Sequence, residues 1–240
     1  MAERTRWWAL TAVSLATLMT YLDNNIVNVA LPTIERSLHT SVSGLEWIVS
    51  SYLLVLGGLL LVGGRIADVY GRRRMFLAGL AIFTLSSLAA GLAGSSGVLI
   101  AARAVQGLGG ALLMPTALAI IAATFTSTRE RTAAIGIWGA VGALGLALGP
   151  VIGGVVSQHF HWGWIFLINV PIGVITAAIA LPSIAESHGR TGAGARLDVP
   201  GLISSAVALF ALTYALIEGQ DKGWTSSLIV ASFAFAAVSA

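Results

Sequence analysis

Two side chains sit where an apolar sequence has least room for them. Asp23 interrupts the apolar run 9–31, and Arg103 lies inside the run 98–121. A carboxyl withdrawn from water favours its neutral form, so an acid in that setting can take up and release a proton. A guanidinium keeps its charge, and placing it in an apolar helix costs at least about 2.5 kcal/mol, so it must face protein or water and find a partner. Asp23 is therefore a candidate to carry a proton, and Arg103 is a charge in search of a partner. Each also has a plainer reading: Asp23 hydrogen-bonded by its Asn neighbours at a span end, Arg103 snorkelling to an interface. Asn25, Asn28 and Gln106 carry amides on the same two runs and are the candidates to line a substrate pocket.

A third feature is the segment Gly64-Arg65-Ile66-Ala67-Asp68-Val69-Tyr70-Gly71-Arg72-Arg73-Arg74 between two apolar runs. A turn this tight needs Gly where the backbone takes unusual dihedrals, here Gly71. Asp68 falls at the C-terminal end of its helix, where the dipole favours cations, so it needs a partner, and Arg72 is four residues away. The plain reading is a basic anchor with a glycine turn. A fourth feature is a glycine at every fourth position, Gly145, Gly149 and Gly153, with Pro150 and Gly154 beside them. Such a stripe lets another helix backbone approach, and Pro150 removes one helix hydrogen bond and should bend the helix.

Other chemistries lack their residues. The chain has no cysteine. His39, His159, His161 and His188 fall in loops, without the H-E-x-x-H spacing of a zinc site or a G-x-S-x-G nucleophile turn. The glycines at 107–110 lie within an apolar run and not after a strand, against dinucleotide binding. No cofactor or metal is expected, and neither is an enzyme.

The elements that hold these residues follow from composition. Charged residues are 10% and hydrophobic residues 57% of 240, and mean hydropathy is +0.89. A soluble domain carries about 25% charged residues, so the missing wet surface must face a lipid bilayer. A bilayer core about 30 Å thick needs roughly 20 apolar residues of helix. Such runs occupy 9–31, 45–66, 75–93, 98–121, 133–156, 164–182 and 201–217, and an eighth starts near 226. Asp23-Asn24-Asn25 and the lack of a small-residue cleavage site make the first run a permanent span and not a signal peptide. With a cytoplasmic N-terminus, the inner segments hold Arg4, Arg6, Arg65, Arg72, Arg73, Arg74, Arg129, Arg131, Arg190 and Arg196, and the outer ones only Arg36 and Lys222. That is the positive-inside pattern. The net charge of +3 shows no basic stripe with interleaved aromatics, so nucleic acid is not an expected partner.

The expected organisation is a six-helix transmembrane bundle at 1–183, a Gly-rich flexible cytoplasmic linker at 184–197, and further transmembrane helices at 198–240, one complete and one partial. Gly63-Gly64 and Gly153-Gly154 hint at an inverted three-plus-three repeat. The last run is too short to cross, so the chain reads as the first part of a longer transporter.

These residues also carry a resemblance. Gly64 to Arg74 looks like the loop signature G-x-L-A-D-x-x-G-R-(R/K) of the major facilitator superfamily, Arg103 to Gly107 resembles its R-x-x-Q-G motif, and Gly145 to Gly154 is similar to the G-x-x-x-G-P-x-x-G-G string of its drug/proton antiporters. Leu22 to Pro32 resembles the L-D-x-T-I-V-N-V-A-L-P signature of the fourteen-helix antiporters, with Asn25 in place of Thr. Trp162-Gly163-Trp164 stands where W-R-W is usual, and Ile165 to Gly173 then matches well. The resemblance implies an all-α integral membrane fold. It implies proton-coupled efflux of amphipathic drug-like compounds, hence antibiotic resistance, from a multi-pass protein of the cell membrane. It assigns gating to Gly64, Asp68, Gly71 and Arg72, and proton coupling to Arg103 beside Asp23. It also implies a missing C-terminal half as partner. Two alternatives stay open: a half-transporter with a structural or regulatory role, and a transporter of another small solute.

Overall fold

The computed structural model describes residues 3–189 and 199–239, and all regular structure in them is helical. Helix α1 runs Glu3–Leu38, α2 Val42–Tyr70, α3 Arg72–Gly91, α4 Ser96–Thr124 and α5 Thr128–His159. A short α6, Trp164–Leu167, leads into α7, Asn169–Ser183; α8 is Val199–Lys222 and α9 Ser227–Ser239. Helices therefore cover the expected runs, with α1 and α2 extending well past them. Residues 190–198, with Arg190, Arg196 and much of the expected linker, lie outside the described residues.

Local chemistry sets the helix starts. Ser41, Ser95 and Ser127 each accept a hydrogen bond from a backbone N–H three residues on, at Gly44, Val98 and Glu130. Each satisfies one of the orphan donors of a first turn. Between α2 and α3 the turn is a single residue, Gly71 at φ 107°, a dihedral that side chains rarely adopt. Five stretches among the described residues are long and apolar enough to cross a membrane: α2, α3, α4, α5 and Trp164–Ser183. Their outward surfaces are apolar, with Leu61, Leu85, Val151 and Val174 all exposed. That is a surface made for lipid and not for water.

Inside the bundle, α2 packs along α4 and α1 along α5. These are equivalent pairs if helices 1–3 exchange with 4–6, as the two Gly pairs hint. Gly63 lies over the backbone of Ala111, and Gly153 over Ile26. Two apolar layers fill the centre. The layer at the Arg-rich end includes Val13, Met19, Phe76, Phe83, Leu113 and Ile120. The other includes Ile26, Ile34, Ile48, Trp162, Ile165 and Phe166. On α1, α3 and α4 the residues separating the two layers are polar: Asp23, Ser86 with Ser87, and Arg103 with Gln106.

Candidate proton-coupling and gating sites

Asp23 and Arg103 meet in that polar layer, both with no solvent exposure. Arg103 Nη1 donates to Asp23 Oδ2 at 2.5 Å and to Gln106 Oε1 at 2.7 Å, and Arg103 Nε donates to the Ile48 carbonyl at 3.2 Å. Its guanidinium carbon stands 4.2 Å from the centre of the Tyr52 ring and 5.7 Å from that of Phe166. The other carboxylate oxygen, Oδ1, accepts from Gln106 Nε2 and from Asn169 Nδ2, each at 2.8 Å. Ser87 Oγ ties the two amides together, at 2.8 Å from Gln106 and 3.3 Å from Asn169. Thus α1, α3, α4 and α7 converge on one carboxylate. A buried ion pair survives only when hydrogen bonds replace the lost water, and breaking one partner costs about 3–5 kcal/mol. The cage supplies those bonds to the carboxylate and to Arg103 Nε and Nη1, while Nη2 finds no partner among the described residues.

Sequence reasoning points to Asp23 and Arg103 but not to their cage. Gln106, a pocket candidate, is buried against the carboxylate. Asn169, Ser87 and Tyr52 have no role by sequence alone. Asn169 at the start of an apolar run is the one signal available, since a polar side chain in a span calls for a partner. Of the other pocket candidates, Asn25 is half-buried and donates to the Tyr21 carbonyl at 3.1 Å. Asn28 is exposed and donates to the Asn24 carbonyl.

At the Arg-rich end, Asp68 does find Arg72. Arg72 Nε and Nη2 both donate to Asp68 Oδ1, at 3.0 and 2.8 Å. Its Nη1 reaches the Ala119 carbonyl of α4 at 3.4 Å. The segment after α7 joins this knot. Glu186 accepts from the backbone N–H of Arg73 at 3.0 Å and of Arg74 at 3.2 Å, capping α3 from 113 and 112 residues away. Arg72 N–H donates to the Ser187 carbonyl, and Gly189 N–H to the Asp68 carbonyl. Within the expected linker, residues 186–189 thus lie against the α2–α3 turn. A carboxylate at a helix N-terminus satisfies bare N–H groups and the dipole at once, which holds the segment down. A Cβ at Gly71 would stand 2.7 Å from the Glu186 carboxyl, the movable end of a side chain, so it is the dihedral and not the space that asks for Gly. Gly64 lies close to Pro115 of α4.

The α5 stripe faces α1. A Cβ at Gly145 would stand 2.6 Å from the Leu18 carbonyl oxygen, one at Gly149 2.6 Å from Asn25 Cβ, and one at Gly153 3.1 Å from Ile26. Gly154 points elsewhere and meets nothing within 4 Å. Helix α5 continues through Pro150, which is exposed.

A bundle of apolar helices around a buried ion pair, with a charged turn at one end, defines the class: a multi-pass membrane transporter. Residues 13–240 match the Major Facilitator Superfamily, and the chain belongs to that family. It is 40% identical over 225 residues to a puromycin resistance protein of Streptomyces alboniger, covering 94% of this chain and 44% of that one. It is 42% identical over 224 residues to the multidrug resistance protein Stp of Mycobacterium tuberculosis, covering 93% and 41%. With the cephamycin export protein CmcT of Amycolatopsis lactamdurans it shares 39% over 226 residues, covering 94% and 46%. The chain spans less than half the length of these curated relatives. Its fold is that of a bacterial homologue of the human lysosomal transporter Spinster, solved inward-facing and occupied, at a TM-score of 0.63 and 20% identity over 100% of this chain and 59% of that one.

Proposed function

We propose that this chain is the N-terminal part of a proton-coupled antiporter that exports amphipathic drug-like compounds by alternating access, with Asp23 as the proton carrier. The observation that carries the proposal is the fully buried Asp23–Arg103 pair in its cage of amides. Protonation of Asp23 removes one charge and leaves Arg103 to seek other partners, so proton uptake favours a different packing of α1 against α4 and α7. Asp68, Gly71 and Arg72 with Gly64 form the gate at the Arg-rich end, which is cytoplasmic by the charge bias. The relatives named for resistance and export support the substrate class. Asn25 and Asn28 are proposed to face the pocket completed by a C-terminal half in the cell membrane, and the family's role requires no chemistry on the substrate and no cofactor.

The test is substrate extrusion from proteoliposomes under an imposed proton gradient, using the full-length protein. Asp23→Asn should abolish gradient-driven efflux, and Asp23→Glu should retain part of it. Since Asp23→Asn leaves Arg103 uncompensated at about 3–5 kcal/mol, the double variant with Arg103→Gln repeats the test without a buried charge. Undiminished efflux in both would remove Asp23 from the proton path. Orientation is checked separately: cysteines placed at Ser187 and Thr40 of this Cys-free chain should label from the inside and the outside respectively.

A further inference from the structure

The carboxylate cage contains one amide that is only half used. Asn169, the first residue of α7, donates from Nδ2 to Asp23 Oδ1 and to Ser87 Oγ. Its own Oδ1, in a side chain with no solvent exposure, accepts nothing among the described residues. Gln106 donates to the same carboxylate oxygen but differs in this respect, because Arg103 Nη1 holds its Oε1 at 2.7 Å.

The difference matters once a proton arrives. Ionised Asp23 only accepts, and three donors serve it: Arg103 Nη1 on Oδ2, and Gln106 Nε2 and Asn169 Nδ2 on Oδ1. A neutral carboxyl carries one O–H, which must find an acceptor in a site without water exposure. Gln106 Oε1 is occupied by the guanidinium. Ser87 Oγ already receives both amides and donates to the Phe83 carbonyl at 2.7 Å. The vacant acceptor is Asn169 Oδ1. It belongs to the same planar group as the nitrogen now touching Asp23, so a half-turn about the Cβ–Cγ bond exchanges the two atoms.

We propose that Asn169 is a positioning residue that reads the protonation state of Asp23: its amide donates to the carboxylate and, after a half-turn, accepts from the neutral carboxyl. The turn withdraws the N–H from Asp23 Oδ1, so one proton changes how α7 is held against α1 and α3. The inference rests on the reading of Asp23 as proton carrier. The charged and titratable groups facing Asp23 are few. Arg103 comes from α4 and Tyr52 from α2, with the guanidinium over its ring, while Tyr21 of α1 lies toward Gly142 of α5. Helices α6 and α7 carry no titratable residue. Those of α5 (Arg129, Glu130, Arg131 and His159) and those of α3 (Arg72, Arg73 and Arg74) sit at helix ends.

The experiment follows the infrared difference spectrum of the full-length protein between high and low pH, with Asn isotopically labelled. Asp23 is identified by the carboxyl band that Asp23→Asn (in the Arg103→Gln background) removes. The proposal expects an amide band of Asn169, identified by its loss in Asn169→Ser, to shift with the same midpoint as the Asp23 carboxyl band. In Asn169→Leu, which can neither donate nor accept, both protonation states lose a bond, so the midpoint should rise only by the surplus of a charge-assisted bond over a neutral one, less than about one pH unit. Asn169→Ser, whose hydroxyl donates or accepts by rotation, should restore most of the wild-type midpoint. An Asp23 band that titrates while no Asn169 amide band moves overturns the role of Asn169 and leaves Asp23 as proton carrier. A wild-type spectrum without any titrating Asp23 band overturns the proton-carrier reading itself.

Discussion

Replacing Gly145 by Ala tests the packing of α5 on α1 with a built-in control. The added Cβ would stand 2.6 Å from the Leu18 carbonyl oxygen and 3.2 Å from Leu22 N, both backbone atoms of α1. Carbon-to-oxygen contacts at helix interfaces settle at about 3.3–3.6 Å, so the two helices must part by roughly 0.7 Å or more. A backbone carbonyl cannot swing aside as a side chain can, so the strain spreads along the seam to Gly149 and Gly153. Overpacking of this kind costs about 1–3 kcal/mol. Against it stands the gain of up to about 1 kcal/mol for Gly to Ala in a helix. That gain cancels when Gly145→Ala is compared with Gly154→Ala, nine residues on in the same helix, where a Cβ meets nothing within 4 Å. The difference between the two variants is then the overpacking cost alone. At about 2–4 °C per kcal/mol, thermal unfolding in detergent should place Gly145→Ala on the order of 2–12 °C below Gly154→Ala. Equal midpoints would show that α1 and α5 yield freely here, and the stripe would lose its packing role.

Asp68→Asn in the full-length protein should slow transport while substrate affinity changes little, because it weakens the grip of Arg72 at the α2–α3 turn; unchanged efflux rates would reduce the turn to a basic anchor. Docking of α8 on α2 gives a pH prediction. Trp47 donates to Glu218 at 2.9 Å, Lys222 pairs with Glu218 at 3.0 Å, and Lys222 also donates to Tyr214. The Trp47 hydrogen bond first, and Lys222 second, hold the Glu218 carboxyl below its ordinary value. A lowered carboxyl contributes its stability above the ordinary value and loses it as pH falls through the lowered one. The clamp should therefore hold at neutral pH and open only in acid. Gly58 and Ala206 report it, since a Cβ at Gly58 lies 3.6 Å from that of Ala206, within disulfide range. The pair Gly58→Cys with Ala206→Cys should cross-link readily at neutral pH, and Glu218→Gln should slow it; no cross-link at any pH would refute this packing.

Much of this protein can be read along the chain. The spans follow from hydropathy, because a bilayer asks only for length and apolar character, and both are local. Gly71 and the Asp68–Arg72 pair are legible for the same reason: a one-residue turn and an i, i+4 pair are set by their own few residues. The stripe at Gly145, Gly149 and Gly153 announces that a helix will come close, though not which helix.

What tertiary structure decided is who meets whom. Asp23 and Arg103 are 80 residues apart and Asp23 and Asn169 are 146 apart, and no spacing rule connects them. Glu186 sits in a Gly-rich stretch that looks mobile in sequence, yet it caps α3 because the bundle returns the chain to that helix start. Gly163, where an Arg is expected by resemblance, is explained by packing: a Cβ there would stand 2.2 Å from the Gly91 carbonyl oxygen. Composition and local pattern determined that these helices cross a membrane and where they turn. Which polar groups share the dry interior was left to the packing of the helices, because between lipid-soluble helices only close contact and buried hydrogen bonds distinguish one partner from another.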